Sequence, residues 1–305
     1  MPNPIRMLQP SNDLEHAIDN FAVRLRAQGR SELTISAYTR DLRCFARALP
    51  GIDTHDITPA MVDAAITDPT VTCSENCVPK STATMYRLKA AVKSFFSWCE
   101  ESGLTSGNPA RSVKMKRLSR KPPKFLSEPE KRRLLKEVRD RTSPLARRDR
   151  VIFELFLGTG IRIAELVNLD IDDVDLDGKH IYITGKGGIP QAKFLNSSLR
   201  TLLRSYLKER RRLADTEVTA LFVSSQGTRL CCRQIAKRLT YWLAKAGIQK
   251  NITPHGLRHT FATHLYTATS DLLLVKRALI HRDVSTTEIY THVADEQLED
   301  ALERI

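Results

Sequence analysis

A chain of 305 residues is long enough for two domains with separate cores, and its 41% hydrophobic and 27% charged residues are those of a folded soluble protein. No apolar run approaches the roughly 20 residues of a membrane span, and MPNPIRMLQPSN lacks the apolar stretch of a signal peptide, so no membrane partner is expected. The net charge of +13 points to a polyanionic partner, and it is unevenly placed: the first 112 residues carry 12 basic and 12 acidic side chains, so the whole excess lies beyond them.

The first hundred residues read as a helical bundle. In NDLEHAIDNFAVRLRAQG, Leu14, Ala17, Ile18, Phe21, Ala22 and Leu25 recur at helical spacing, with Asn12 and Glu15 spaced as a capping box and Gly29 as a stop. Ile35, Tyr38, Leu42, Phe45 and Leu49 make a second stripe. Thr58 and Pro59 open a third helix as N-cap and first helical residue. DPTVTCSENCVPKS reads as a loop from its Pro, Ser and Asn content. A long helix follows, turning Met85, Leu88, Val92, Phe95, Phe96 and Cys99 inward and ending near Gly103.

From Lys114 to Lys124, KMKRLSRKPPK holds six basic residues, no acid and a Pro-Pro pair. Uniform charge and proline stiffness describe an extended linker, either simply solvated or tracking a phosphate backbone through Lys114, Lys116, Arg117, Arg120, Lys121 and Lys124.

Beyond it, LSEPEKRRLLKEV opens a helix with Ser127 as N-cap. DRVIFELFLGTGIRIAELVNL is apolar and helical on both sides of its GTG break. DVDLDGKHIYITGKGGIPQAKFLN alternates like a hairpin or short meander. A helix over SSLRTLLRSYLKERRRLA follows, then a short strand and turn in ALFVSSQGTRL, then helices in CCRQIAKRLTYWLAKAG and around HGLRHTFATHLYT. The expected fold is mainly α in two domains: a helical bundle over 1–112, a basic linker over 113–126, and an α+β domain with a small antiparallel sheet over 127–305.

No cofactor is expected, because GTGIRIAE and GKGGIP match neither nucleotide-binding glycine loop. No metal is expected either: Cys73 and Cys77 in TCSENC have no histidine or second cysteine pair nearby, and the six cysteines read as reduced thiols. What remains is a set of cationic residues, each beside a turn or helix start, with one late tyrosine: Arg162, Lys186, His255, Arg258, His281 and Tyr290.

These residue types suit attack on a phosphodiester. Two guanidiniums neutralise the non-bridging oxygens as charge develops. A lysine can protonate the leaving alkoxide, and histidines can hold a phosphate oxygen or move the nucleophile's proton. A tyrosine oxygen can serve as covalent nucleophile, and the built-in cations make a metal unnecessary. Taken singly, each residue has a plainer reading. Arg162 could pair with Glu165, Lys186 could be a solvated hairpin tip, His255 and His259 could cap or pack, and Tyr290 could fill a groove.

Together, GTGIRIAEL, TGKGG, HGLRHTFATHL and HRDVSTTEIYTHV resemble, in order and spacing, the boxes of the tyrosine site-specific recombinases, or phage-integrase family, over essentially the whole chain. The resemblance is to compact, Xer-like members, and it implies a core-DNA-binding first domain and a catalytic second one. It further implies that Arg162 and Arg258 clamp the scissile phosphate and that Lys186 is general acid to the 5′-oxygen. His255 and His281 would assist proton transfer, and Tyr290 would form a 3′-phosphotyrosyl bond without ATP. Glu165 would support the site from behind. The implied partner is a double-stranded recombination site, bound in the bacterial or archaeal cytoplasm by a tetramer. Leu298, Ala301, Leu302 and Ile305 would form the apolar stripe of an exchange helix (about 295–305) linking protomers.

Two positions depart from the family pattern: Ile280 and Thr269 stand where glycine is usual, and a positive φ at either would strain it. A catalytically impaired DNA-binding relative is therefore the alternative reading, and a relaxing topoisomerase using the same tyrosine chemistry is a second.

Overall fold

The computed structural model describes residues 14–115, 124–139, 143–184, 190–215 and 217–279. The chain divides into two compact units, Met1–Arg120 and Lys121–Ile305. The first is helical; the second adds a three-stranded sheet to its helices.

In the first unit, α1 (Leu14–Ala27), α2 (Glu32–Ala46), α3 (Pro59–Thr67) and α5 (Thr82–Glu101) follow the apolar spacing, with a short α4 (Pro69–Thr72) between the last two. All six stripe residues of α1 are buried. Leu88, Val92, Phe95, Phe96 and Cys99 are likewise buried on α5. Phe95 meets Phe21 and Phe96 edge to face, with centroids 5.6 and 5.1 Å apart, a geometry that favours aromatic rings beyond simple burial. Asp41 is buried on α2 and accepts two hydrogen bonds from Arg87 of α5, at 2.7 and 3.0 Å. That fork fixes the crossing of the two helices while satisfying a charge that would otherwise be costly.

The stretch after Asp68, expected to be all loop, contains α4. Asp68 accepts from the backbone of Thr70 at 2.7 Å and Pro69 follows it, so the cap-then-proline signal of Thr58-Pro59 simply recurs. Cys99 packs in the core, where burial pushes its thiol up to about 12 and leaves it inert. Among the described residues, only Asp53, His55 and Asp56 lie close enough to share a metal ion, on an exposed turn. No described helix is long and apolar enough to cross a membrane.

The second unit runs α6 (Glu128–Arg139), α7 (Pro144–Thr159), α8 (Ile163–Asn168), β1 (Val174–Asp175), β2 (His180–Thr184), β3 (Pro190–Phe194), α9 (Ser197–Arg210), α10 (Cys232–Lys245), α11 (Pro254–Thr269) and α12 (Leu272–Leu279). The strands form an antiparallel meander in the order β1-β2-β3. Helix α7 is apolar around most of its girth and packs against α6, α9 and α11, so it is the axis of this unit. Its one buried acid, Asp149, accepts from Arg148, Arg238 and the Trp242 indole, which ties α7 to α10.

Three expectations change. ALFVSSQGTRL forms no strand: Ala220 and Val223 make only isolated bridges to Asp170 and Arg229, because the backbone turns at Gly227 (φ +75°) after a buried Leu221-Phe222-Val223 run. Helix α12 was not expected. Asp271 starts it by accepting from the backbones of Leu273 and Leu274, one residue after Ser270 takes a left-handed φ of +52°. Thr269 is the last residue of α11, so strain expected there falls on Ser270 instead; Ile280 lies outside the described residues. At the two ends of the predicted linker, Val113 belongs to the first core and Leu126 to the second.

Gly160, at the C-terminal cap of α7, has φ +59°, and a Cβ there would lie 2.5 Å from Phe261 and 2.8 Å from Leu279. Gly29, at φ +70°, faces open space. Gly29→Ala is expected to cost about 1 kcal/mol and Gly160→Ala about 3 kcal/mol, since only the second adds overpacking to backbone strain. Urea denaturation of the two variants measures the difference; equal losses would mean that α11 and α12 yield freely around Gly160.

Candidate active site

The site is built around the turn that joins α7 to α8. Gly160 closes α7 in the left-handed conformation, and Arg162 takes the extended N-cap position of α8. The Arg162 backbone N–H donates to Glu165 Oε2 at 2.8 Å, and its Nη1 donates to Glu165 Oε1 at 2.6 Å. One nearly buried carboxylate therefore orients both the turn and the guanidinium, while Arg162 itself stays half exposed. The plain reading of Arg162 as a partner of Glu165 and its reading as a site residue are thus the same geometry.

Arg258 comes to this turn from α11. It is buried, at 3% exposure; Nη1 donates to the Gly160 carbonyl at 2.5 Å, and Nη2 donates to the Leu279 carbonyl at 2.8 Å. It therefore spans the ends of α7 and α12, where unpaired helix carbonyls favour a cation. His255 lies one turn earlier on α11, exposed at the first turn. Desolvation first, and then the charges of Arg258 and Arg162, hold its imidazole below the usual histidine range. The structure thus brings Arg162, Arg258 and His255 into one electrostatic neighbourhood.

Behind His255 stands His259, buried, with the two Nε2 atoms 3.0 Å apart. Only one hydrogen fits between those nitrogens, so the pair cannot be doubly charged across that contact. His264, read from sequence as a packing residue, places Nδ1 2.9 Å from Glu128 and joins α11 to α6. The chain entering this unit also crosses α11. The Leu126 N–H donates to Thr260 Oγ1 at 2.9 Å, and a Cβ on Gly256 would meet the Lys124 carbonyl at 2.9 Å. Lys124, an exposed residue of the basic segment, therefore packs its backbone against Gly256 in the first turn of α11.

Lys186 falls between β2 and β3, outside the described residues, as do His281, Tyr290 and His292. Of the basic segment, Lys114 and Lys124 are described and exposed, and Lys116, Arg117, Arg120 and Lys121 are not described.

The sequence reading missed Lys193. It sits on β3 opposite Ile181 of β2, on the inward face of the sheet, at 4% exposure. Its Nζ donates to the carbonyls of Thr159 at 3.0 Å and Ala278 at 2.7 Å. Burial foremost, then Arg258 and Arg162 against the opposing Glu165, lowers its pKa to about 8. The signal was in the alternation: Leu195 is buried, and counting back by two puts Lys193 on the same face.

A cluster of permanent and titratable cations around one turn binds an oxyanion and stabilises charge that develops on it. Residues 124–297 match the model of the phage integrase family, and residues 18–103 match its N-terminal SAM-like domain. A tyrosine recombinase XerC of Pelotomaculum thermopropionicum is 37% identical over 292 residues, covering 92% of this chain and 94% of its own. Another XerC, of Serratia marcescens, is 34% identical over 92% of this chain and 91% of its own. The structure is similar to that of the XerH site-specific recombinase bound to palindromic difH substrate in a post-cleavage complex, with TM-score 0.72 and 25% identity over 94% of this chain and 84% of that one. The chain belongs to the phage integrase family, the tyrosine recombinases, which cleave and rejoin DNA strands.

Proposed function

We propose that this protein is an active site-specific DNA recombinase whose cleavage chemistry rests on Arg162, Lys186, His255, Arg258, His281 and Tyr290. The Tyr290 oxygen attacks the scissile phosphorus, the bond to the 5′-oxygen breaks, and Lys186 protonates that oxygen as it leaves. Arg162 and Arg258 neutralise the non-bridging oxygens, with His255 and His281 holding a phosphate oxygen and taking the tyrosine proton. The 3′-phosphotyrosyl bond keeps the energy of the phosphodiester, so a 5′-hydroxyl from another strand can reverse the step without metal or ATP. The observation that best supports this reading is the convergence of Arg162, Arg258 and His255 on the Gly160 turn.

The first domain and the basic segment hold the duplex, Lys114, Lys116, Arg117, Arg120, Lys121 and Lys124 against its phosphates. The protein works as a tetramer on paired sites in the cytoplasm, on nucleoid DNA. The last residues, with Leu298, Ala301, Leu302 and Ile305 on one stripe, dock on a neighbouring protomer, since so short a helix needs a surface to form.

Sequencing DNA trapped covalently on the protein in its own cells defines the site, and a duplex of that sequence nicked near the cleavage point then captures the adduct. Tyr290→Phe is expected to abolish capture while leaving affinity nearly unchanged; a residual adduct would mean another nucleophile. Arg162→Ala and Arg258→Ala should each lower the rate by about two to three orders of magnitude. Lys186→Ala should lose rate that a 5′-bridging sulfur substrate restores, because a thiolate leaves without a proton; failure of sulfur to rescue removes Lys186 from that role.

His255 should bind a proton when DNA binds. Its pKa is lowered in the free protein, first by burial and then by the charges of Arg258 and Arg162, and a phosphate on the two arginines offsets the second of these. Uptake is expected below the ordinary histidine value, between the lowered pKa of the free protein and the restored one. Calorimetry in buffers of different ionisation heat measures it, and His255→Gln should lack it. Equal uptake by both proteins would place His255 away from the phosphate.

Deleting residues 298–305 should leave single-site binding intact and impair synapsis and recombination. Normal recombination by the shortened protein would rule out exchange through this segment.

A further inference from the structure

Lys193 is the one buried lysine among the described residues, and packing alone does not call for it. The position faces Ile181 across the sheet, where an aliphatic side chain would fill the space without desolvating an ammonium. What the lysine adds is a second bridge beside that of Arg258. Lys193 joins the carbonyls of Thr159 and Ala278; Arg258 joins those of Gly160 and Leu279. Two adjacent carbonyls at the end of α7 are thus tied, through two cations side by side, to two adjacent carbonyls at the end of α12. Each helix end presents its negative pole to both cations, which offsets part of their mutual repulsion.

We propose that Lys193 is a positioning residue for strand cleavage: with Arg258 it clamps the end of α12 to the Gly160 turn, and so sets the frame in which Arg162 and Arg258 meet the phosphate. His281 follows Leu279 by two residues, so the clamp lies directly before the segment that carries His281 and Tyr290. Lys193 itself need not touch DNA. A neutral amine keeps two N–H donors, as many as the two carbonyls it serves, so the clamp holds on both sides of its titration. The charged groups acting on it are Arg258 from α11 and Arg162 and Glu165 from the start of α8.

This inference rests on the reading of the two arginines as phosphate ligands, and the test separates the two. Full-length wild-type protein and Lys193→Met are compared at saturating concentration on the nicked duplex, following covalent capture in a single turnover. The variant is expected to cleave about 100-fold more slowly, the scale of a misplacement near 1 Å, with its affinity for the duplex within twofold of wild type. Its thermal midpoint should fall by only a few degrees at most, because two carbonyls lose a donor while a buried ammonium gives way to an apolar chain of similar length. The ratio of wild-type to variant rates should stay level from pH 7 to 9, bracketing the value of about 8 for Lys193.

No adduct from wild type would defeat the cleavage reading itself. Adduct from both proteins at equal rates would defeat only the clamp. A variant that fails to fold, or melts far below wild type, would make Lys193 a general structural residue and overturn the proposal. A rate ratio that falls as pH rises through 8 would also overturn it, since Lys193 would then act by its charge on the phosphate.

Discussion

The geometry of the catalytic unit depends on one missing side chain. Gly160 lies where α11 and α12 press on the end of α7, and no Cβ fits between it and the side chains of Phe261 and Leu279. Its left-handed φ ends α7 and turns the chain so that Arg162 caps α8. Its carbonyl, directed away from any helix, is then available to Arg258. Three consequences follow from one residue: a helix stops, an arginine is presented, and a second arginine is anchored. A larger residue would have to move two helices to restore any one of them.

At this turn burial first, and then the repulsion of Arg258 and Arg162, lowers the proton affinity of His255 and Lys193. Among the described residues, these cations are held together without being surrounded by carboxylates, which would compete with a phosphate. Glu165 is the acid that engages Arg162, and it does so from the nearly buried side, leaving the guanidinium half exposed. The other negative charge comes from helix ends, whose carbonyls carry only partial charge. A phosphate would bring full charge into competition with these partial ones. Electrostatic preorganisation of this kind is assembled during folding, so little reorganisation is left for the moment of reaction.

Much of this was legible in the residues. Apolar spacing located α1, α2, α5 and α7, because each buries a stripe that 3.6-residue periodicity reveals. Arg162, Arg258 and His255 could be named because their neighbours, GTG before one and HGLRH around the others, are local turn and cap signals. Lys193 was not named, because charge dominates the reading of a lysine and only strand register shows that it faces inward. Helix α12 was missed for a related reason. At eight residues it is too short to announce itself by periodicity, and it begins with a side-chain cap, Asp271, immediately after a left-handed serine. The turn around residues 220–229 looked like a strand because three consecutive apolar residues suit either a strand or a buried irregular segment.

Two of the features missed by sequence reading, Lys193 and α12, are set by tertiary contact and lie together at the end of α12. That helix buries Val275 and Leu279 in a small cluster with Ala262 and the flanking Phe261, Leu265 and Tyr266 of α11. A contact of this size is modest beside the main core of the unit. Side-chain burial of so few residues supplies only a few kcal/mol, so polar bridges at the helix end count for more here than they would in a large interface. Arg258 and Lys193 supply those bridges from two different elements, α11 and β3. The helix end is therefore held by the same cations that gather at the Gly160 turn. Any ligand that draws Arg258 toward its own oxygens competes with the Gly160 and Leu279 carbonyls for the same guanidinium donors. With phosphate as that ligand, as proposed, its binding and the placement of α12 would be coupled through Arg258, and Lys193 would be the bridge that remains.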